Sequence, residues 1–119
     1  MPIMTVPPHD AAAACLFDGL GDPARLAILR HLAAGEKRVG ELADLLGLAQ
    51  STVSQHLACL RGCDLVTARP VGRATVHSLA HPGAMMALFE AADVLLARTD
   101  DAALLCPSFG DGLAAEVAS

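Results

Sequence analysis

Only three residues, Gly47-Leu48-Ala49, separate two amphipathic stretches near the middle of the chain, and that spacing limits the fold more than any other feature. In the first stretch, Val39 to Leu46, the side chains of Leu42, Leu45 and Leu46 point one way, and Gly47 is the residue type that closes a helix in the left-handed conformation. In the second, Gln50 to Asp64 (QSTVSQHLACLRGCD), helical spacing aligns Val53, Leu57 and Leu60 as an apolar stripe and puts Ser51, Gln55 and Ala58 on the opposite side. Two helices on so short a link turn sharply, with their apolar stripes toward one core. The second keeps a polar outer face at its N-terminus, for solvent or DNA, which is the pattern of a helix-turn-helix.

The flanking sequence supplies the supports. Asp22-Pro23 is a strong helix start, because Asp caps free amides and proline fits the first helical position. That helix is expected to reach Ala34 and stop at Gly35. Its Leu26, Ile28, Leu29, Leu32 and Ala33 cover about half the circumference, as suits a helix wedged between others. Upstream, Asp10 caps a short Ala-rich helix through about Phe17, broken by Gly19 and Gly21. Residues 1–9, with three prolines, read as a flexible arm. Glu36-Lys37-Arg38 reads as a polar link.

After Asp64 the period changes from helical to alternating. Leu65 to Arg69 and Ala74 to Leu79 are rich in β-branched residues and flank Pro70-Val71-Gly72-Arg73, a β-hairpin placed as a wing. Pro82 opens a last helix to about Arg98, with Met85, Leu88, Phe89, Ala92, Leu95 and Leu96 on one broad face. So apolar a surface at the end of a small domain invites a partner helix, and a twin subunit is the simplest one. The expected organisation is therefore an arm (1–9), one domain (10–98) and a C-terminal tail (99–119), mainly α with a β-hairpin.

Apolar residues make up 54% of the chain but aromatics only 3%, so the core is built from Ala, Leu, Val and a few Met, which favours helices. No apolar run has the length of a membrane span, and MPIMTVPPHD lacks the basic start and apolar stretch of a signal peptide; a soluble, cytoplasmic protein without a membrane partner is expected. The net charge of −5 is unevenly placed. From Arg25 to Arg73 seven basic residues face four acidic ones, and a locally basic centre suits DNA whatever the ends carry. No acid/base constellation, phosphate loop or Ser-His-Asp arrangement accompanies these features, which argues against an enzyme.

The chemistry concentrates on the second helix. Gln50, Ser51, Thr52, Ser54 and Gln55 at its start can meet phosphate oxygens or base edges, and Gln55 can read adenine with a bidentate contact. Arg69 and Arg73 on the wing are placed to hold the backbone or enter the minor groove. Cys59 and Cys63 are four residues apart, so two sulfurs one turn apart can converge on an ion. The plain reading of that pair is two small packed side chains, and a third is a redox switch. Cys15 reads as a packed helix residue, His56 as structural, His77 and His81 as weak ligand candidates, and Met85-Met86 as packing.

The order of elements, together with GDPARLAILRHL, GELADLLGLAQSTVSQHLACLRGCDLV and the Gly72-Arg73 of the hairpin, resembles the ArsR/SmtB family of metal-responsive repressors over roughly residues 15–98. The resemblance implies a winged helix that dimerises through its first and last helices, binds an inverted-repeat operator when metal-free and releases it when metal binds. Of the family's metal sites, the Glu-Leu-Cys-x-Cys motif is absent, because Gly40-Glu41-Leu42-Ala43-Asp44 stands there, and no histidine occurs from Pro82 to Arg98. Cys59-Leu60-Arg61-Gly62-Cys63 is similar to the CmtR-type subgroup that senses cadmium and lead. That subgroup's third ligand is a cysteine near the C-terminus, a position Cys106 can fill. Three thiolates without histidine favour Cd²⁺ or Pb²⁺, with Zn²⁺ and arsenite also compatible. Two positions depart from the family: Ala49 replaces a capping Ser or Thr, for which Ser51 can compensate by shifting the helix start, and Asp64 replaces the glycine after the helix.

Overall fold

A computed structural model describes residues 7–99. Its elements run in the order α1 (Pro8–Leu20), α2 (Pro23–Ala33), β1 (Lys37–Arg38), α3 (Val39–Leu46), α4 (Gln50–Gly62), β2 (Val66–Val71), β3 (Ala74–Leu79) and α5 (Pro82–Arg98). The chain divides into two compact units, Met1–Pro82 and Gly83–Ser119.

In the first unit, α1 begins two residues before Asp10, so residues 8 and 9, expected in the arm, are helical. Prolines suit a first turn, where no amide donor is needed, and Asp10 sits inside that turn without capping it. The helix also continues through Gly19 to Leu20. At α2 the expected cap forms: Asp22 Oδ1 accepts from the amides of Ala24 at 2.8 Å and Arg25 at 3.1 Å.

Lys37 and Arg38, expected as a link, make a short strand. Lys37 pairs with His77 and Arg38 with Val76, completing a three-stranded antiparallel sheet ordered β1-β3-β2. Arg38 is also the N-cap of α3, where its amide donates to Glu41 Oε1 at 3.1 Å, one half of a capping box. On α3, Leu42 and Ala43 are buried but Leu45 is exposed, so the core covers only part of the expected leucine face. The helix has only two turns, and the core covers only its Leu42–Ala43 side. Gly47 closes it at φ 67°.

Helix α4 buries Val53, Leu57 and Leu60, the anticipated stripe. It ends at Gly62 rather than Asp64, with Cys63 as the cap. Asp64 takes the left-handed conformation at φ 60°, its amide donating to Arg61 O at 3.0 Å, while the Leu65 amide donates to Leu60 O at 3.0 Å. This double closure is a Schellman motif with aspartate in the position glycine usually holds. Strand β2 runs on through Pro70 and Val71, so the hairpin loop is two residues, Gly72-Arg73, rather than the four expected. Pro70 is tolerated because β2 is an edge strand. Gly72, at φ 62°, supplies the positive torsion at the first loop position. Ile28, Leu29, Leu32, Leu42, Val53, Leu57, Leu60, Val66, Val76 and Leu79 form the core.

In α5, Met85 and Phe89 are buried, but Val94, Leu95 and Leu96 are exposed by 56%, 64% and 44%. The broad apolar face expected for this helix is therefore covered in its first half and open in its second. Among the described residues no helix is long and apolar enough to cross a membrane.

Candidate functional site

Burial of Val53, Leu57 and Leu60 fixes the rotation of α4 about its own axis. With that side turned inward, Gln50, Ser51, Ser54 and Gln55 are exposed, whereas Thr52 is half-buried and the least available of the polar residues expected there. The helix starts from Ala49, extended at φ −65° and ψ 145°, with no side-chain cap. Its first intrahelical bond runs from Val53 N to Ala49 O at 3.1 Å, so the Ser51 and Thr52 amides have no acceptor within the helix. These free N–H groups and the positive end of the helix dipole both favour an anion. Gln50 and Ser54 also line an open cleft with Arg38 from β1, Glu41 from α3 and Thr75 from β3.

The two wing arginines differ. Arg73 is exposed in the two-residue loop. Arg69 is engaged with Glu36 through Nη2–Oε1 at 2.6 Å and Nε–Oε2 at 3.3 Å, a fork that turns its guanidinium toward the link between α2 and β1. Glu36 gave no sequence signal for that pairing, because its partner lies far along the chain.

At the other end of α4, Cys59 and Cys63 are free and exposed, and the Cys63 amide donates to Cys59 O at 3.2 Å, placing them one turn apart. Arg25 reaches Cys59 from α2, with Nη1 at 3.9 Å from Sγ. The same guanidinium donates from Nε to Gly19 O at 2.7 Å and from Nη2 to Asp18 O at 3.3 Å. Cys15, expected to be packed, is exposed on α1. Cys106, the third expected ligand, lies outside the described residues. Among the described residues no group of three or more His, Cys, Asp or Glu is placed to hold a metal. Two accessible thiols at one helix end thus fit part of the donor set of a soft ion, and further donors are needed to complete it.

Histidine contributes little here. His56 is half-buried, and exposed His81 pairs with Asp64 at 3.3 Å. His77 is buried on β3, 4% exposed, and its Nδ1 has no hydrogen-bond partner among the described residues. Burial, and then the positive charge of Arg61, hold its pKa below the ordinary value of 6.5. Of the adjacent methionines, Met85 is packed as expected and Met86 is exposed.

Residues 22–68 match the family model described as bacterial regulatory protein, arsR family. Over 115 residues, 97% of its length, the chain is 39% identical to the HTH-type transcriptional regulator CmtR of Mycobacterium tuberculosis (strain ATCC 25618 / H37Rv), covering 98% of that protein. The chain belongs to the ArsR family of transcriptional regulators. The NMR structure of the cadmium metal-sensor CmtR from M. tuberculosis is similar at a TM-score of 0.56 and 47% identity, over 65% of this chain and 80% of that one. The homodimeric winged helix-turn-helix domain of Mb0332 from Mycobacterium bovis is similar at a TM-score of 0.64 and 27% identity, over 78% of this chain and 90% of that one. The ArsR-family regulator is a winged helix-turn-helix protein, as its order of elements implied, and its relatives are named as regulators rather than enzymes.

Proposed function

We propose that this ArsR-family regulator is a metal-responsive repressor in which α4 serves DNA at one end and a soft ion at the other. The observation that carries the reading is the exposed, free pair Cys59 and Cys63 one turn apart at the end of the helix whose opposite end presents Gln50, Ser51, Ser54 and Gln55. Residues 10–98 act as the dimerisation and DNA-binding domain, with α1 and α5 between subunits. Support for a dimer comes from the open apolar half of α5 and from the homodimeric relative. Two copies of α4 then address half-sites of an inverted repeat about one DNA turn apart, roughly 34 Å. Thr52 and Arg69 join the polar start and Arg73 as DNA contacts, Arg69 after exchanging Glu36 for phosphate.

Cys59 Sγ and Cys63 Sγ hold the ion as thiolates, and Cys106 from the 99–119 tail completes the set. Cd²⁺ or Pb²⁺ suits three sulfurs best, and the relative named as a cadmium sensor points the same way. When bound, the ion supplies a soft Lewis acid that joins thiolates and releases their protons. Because two of these sulfurs belong to the DNA-reading helix, closing the set biases the orientation of α4 away from the operator-bound arrangement. Linkage then requires operator to weaken metal by the same factor that metal weakens operator, typically about 1–3 kcal/mol.

Operator titrations with and without Cd²⁺ test this, together with ultraviolet thiolate-to-metal absorption in wild type and Cys59→Ser. Unchanged operator affinity removes the sensor reading and leaves the repressor. Because both thiols are exposed, oxidation is the competing reading. Loss of operator affinity under mild oxidant, without a Cd–thiolate band, selects it.

A further inference from the structure

The two thiols of the pair are not equivalent. Cys59 receives a side-chain donor, Arg25 Nη1 at 3.9 Å, whereas among the described residues no side chain donates to Cys63 Sγ. Arg25 is itself held. Its Nε and Nη2 are committed to the carbonyls of Gly19 and Asp18 at the end of α1, at 2.7 and 3.3 Å. A guanidinium is a rigid planar fork, so fixing two of its nitrogens fixes where the third points. Here it points at the sulfur. The Asp22 cap anchors the Arg25 amide as well, at 3.1 Å, so backbone and side chain are both set before any ligand arrives.

We infer that Arg25 is a positioning residue for the metal site, holding Cys59 Sγ in place and placing a fixed positive charge beside it. The inference rests on the metal reading proposed above. Cys59 takes a soft ion as a thiolate, and a guanidinium already oriented by α1 offsets that negative charge without reorganisation. Outer partners that orient a ligand and balance its charge typically contribute 10–100-fold to metal affinity. Arg25 also satisfies carbonyls at the end of α1, so its removal lowers stability, and the test must separate the two effects.

The measurement is the Cd²⁺ dissociation constant of the full chain, by competition with a chelator and followed by thiolate-to-metal absorption. It is made on wild type, Arg25→Gln and Ile28→Val, with a urea midpoint for each. Ile28 is fully buried on the same helix and has no donor, so Ile28→Val lowers stability and removes no hydrogen bond to a thiol. Arg25→Met, which keeps the apolar stem, replaces Arg25→Gln if that variant does not fold. The expected result is about tenfold weaker Cd²⁺ binding for the Arg25 variant and unchanged binding for Ile28→Val. Equal affinity in the Arg25 variant and wild type overturns the inference. Equal weakening in both variants also overturns it, by tracing the loss to stability alone. Absence of a Cd–thiolate band in wild type removes the metal reading itself, and that outcome is distinct from the other two.

Discussion

Ala49→Ser is expected to stabilise the regulator by about 1 kcal/mol. The magnitude follows from a comparison inside the molecule. At α2, the Asp22 side chain accepts two amide hydrogen bonds at the helix start, whereas at α4 Ala49 has no side-chain acceptor and leaves the Ser51 and Thr52 amides open. Ala49 already has the extended backbone of a capping residue, so the serine hydroxyl reaches those amides without moving the chain. The position is exposed, so the added oxygen meets no packed neighbour. For a domain of this size the gain corresponds to a rise of roughly 4–8 °C in Tm. Thermal denaturation at one fixed protein concentration reads it, the concentration being held because dimerisation would shift the midpoint. Ser51→Ala is the companion measurement. Ser51 is the second residue of α4, so its loss is expected to change stability by less than about 0.5 kcal/mol. If Ala49→Ser gives no gain while Ser51→Ala costs about 1 kcal/mol, the helix starts at Ser51 and the reasoning is refuted. Ala49→Asp adds a favourable charge–dipole contribution of about 0.3–1 kcal/mol but sets a carboxylate where the proposed function places phosphate. It should raise Tm and weaken operator binding, more so at low salt.

Three further outcomes are expected. Leu60→Ala, at a fully buried position on α4, should cost about 2–5 kcal/mol in urea unfolding. Glu36→Gln breaks an ion pair whose side chains are 58% and 47% exposed, so stability should change by less than about 1 kcal/mol, while operator affinity rises because Arg69 is freed. His77 should make stability pH-dependent: the unfolded chain binds a proton near pH 6.5 and the folded chain only at lower pH. Between those values the unfolded state holds more protons, so stability falls as pH drops below 6.5 and levels off beneath the folded pKa. Urea midpoints at several pH values check this, and His77→Gln should remove that part of the slope.

Local features were readable from the residues alone. Asp22-Pro23, Gly47 and the Val53-Leu57-Leu60 stripe depend on neighbours within a turn or two, and each is found where spacing put it. Strand β1 was not readable, since two residues carry no period and the partners of Lys37 and Arg38 lie at His77 and Val76. Pro70 reads as a strand breaker unless the strand is known to be an edge, which depends on the sheet order. For the site, the exposure of the polar start of α4 followed from helical geometry, whereas that of Cys59 was seen only in the structure. The Arg25 bridge to Cys59 and the Arg69–Glu36 fork join residues 34 and 33 positions apart and leave no local trace.

The sheet order also has a mechanical meaning. Arg38 ends the strand that pairs with β3, and the same residue is the N-cap of α3. Arg69 on β2 is tied to Glu36, immediately before β1. The hairpin is therefore joined to the start of the helix-turn-helix at two points of unequal strength. The exposed Arg69–Glu36 pair opens when Arg69 takes phosphate, and the backbone pairing of β1 with β3 is then what still couples the wing to α3.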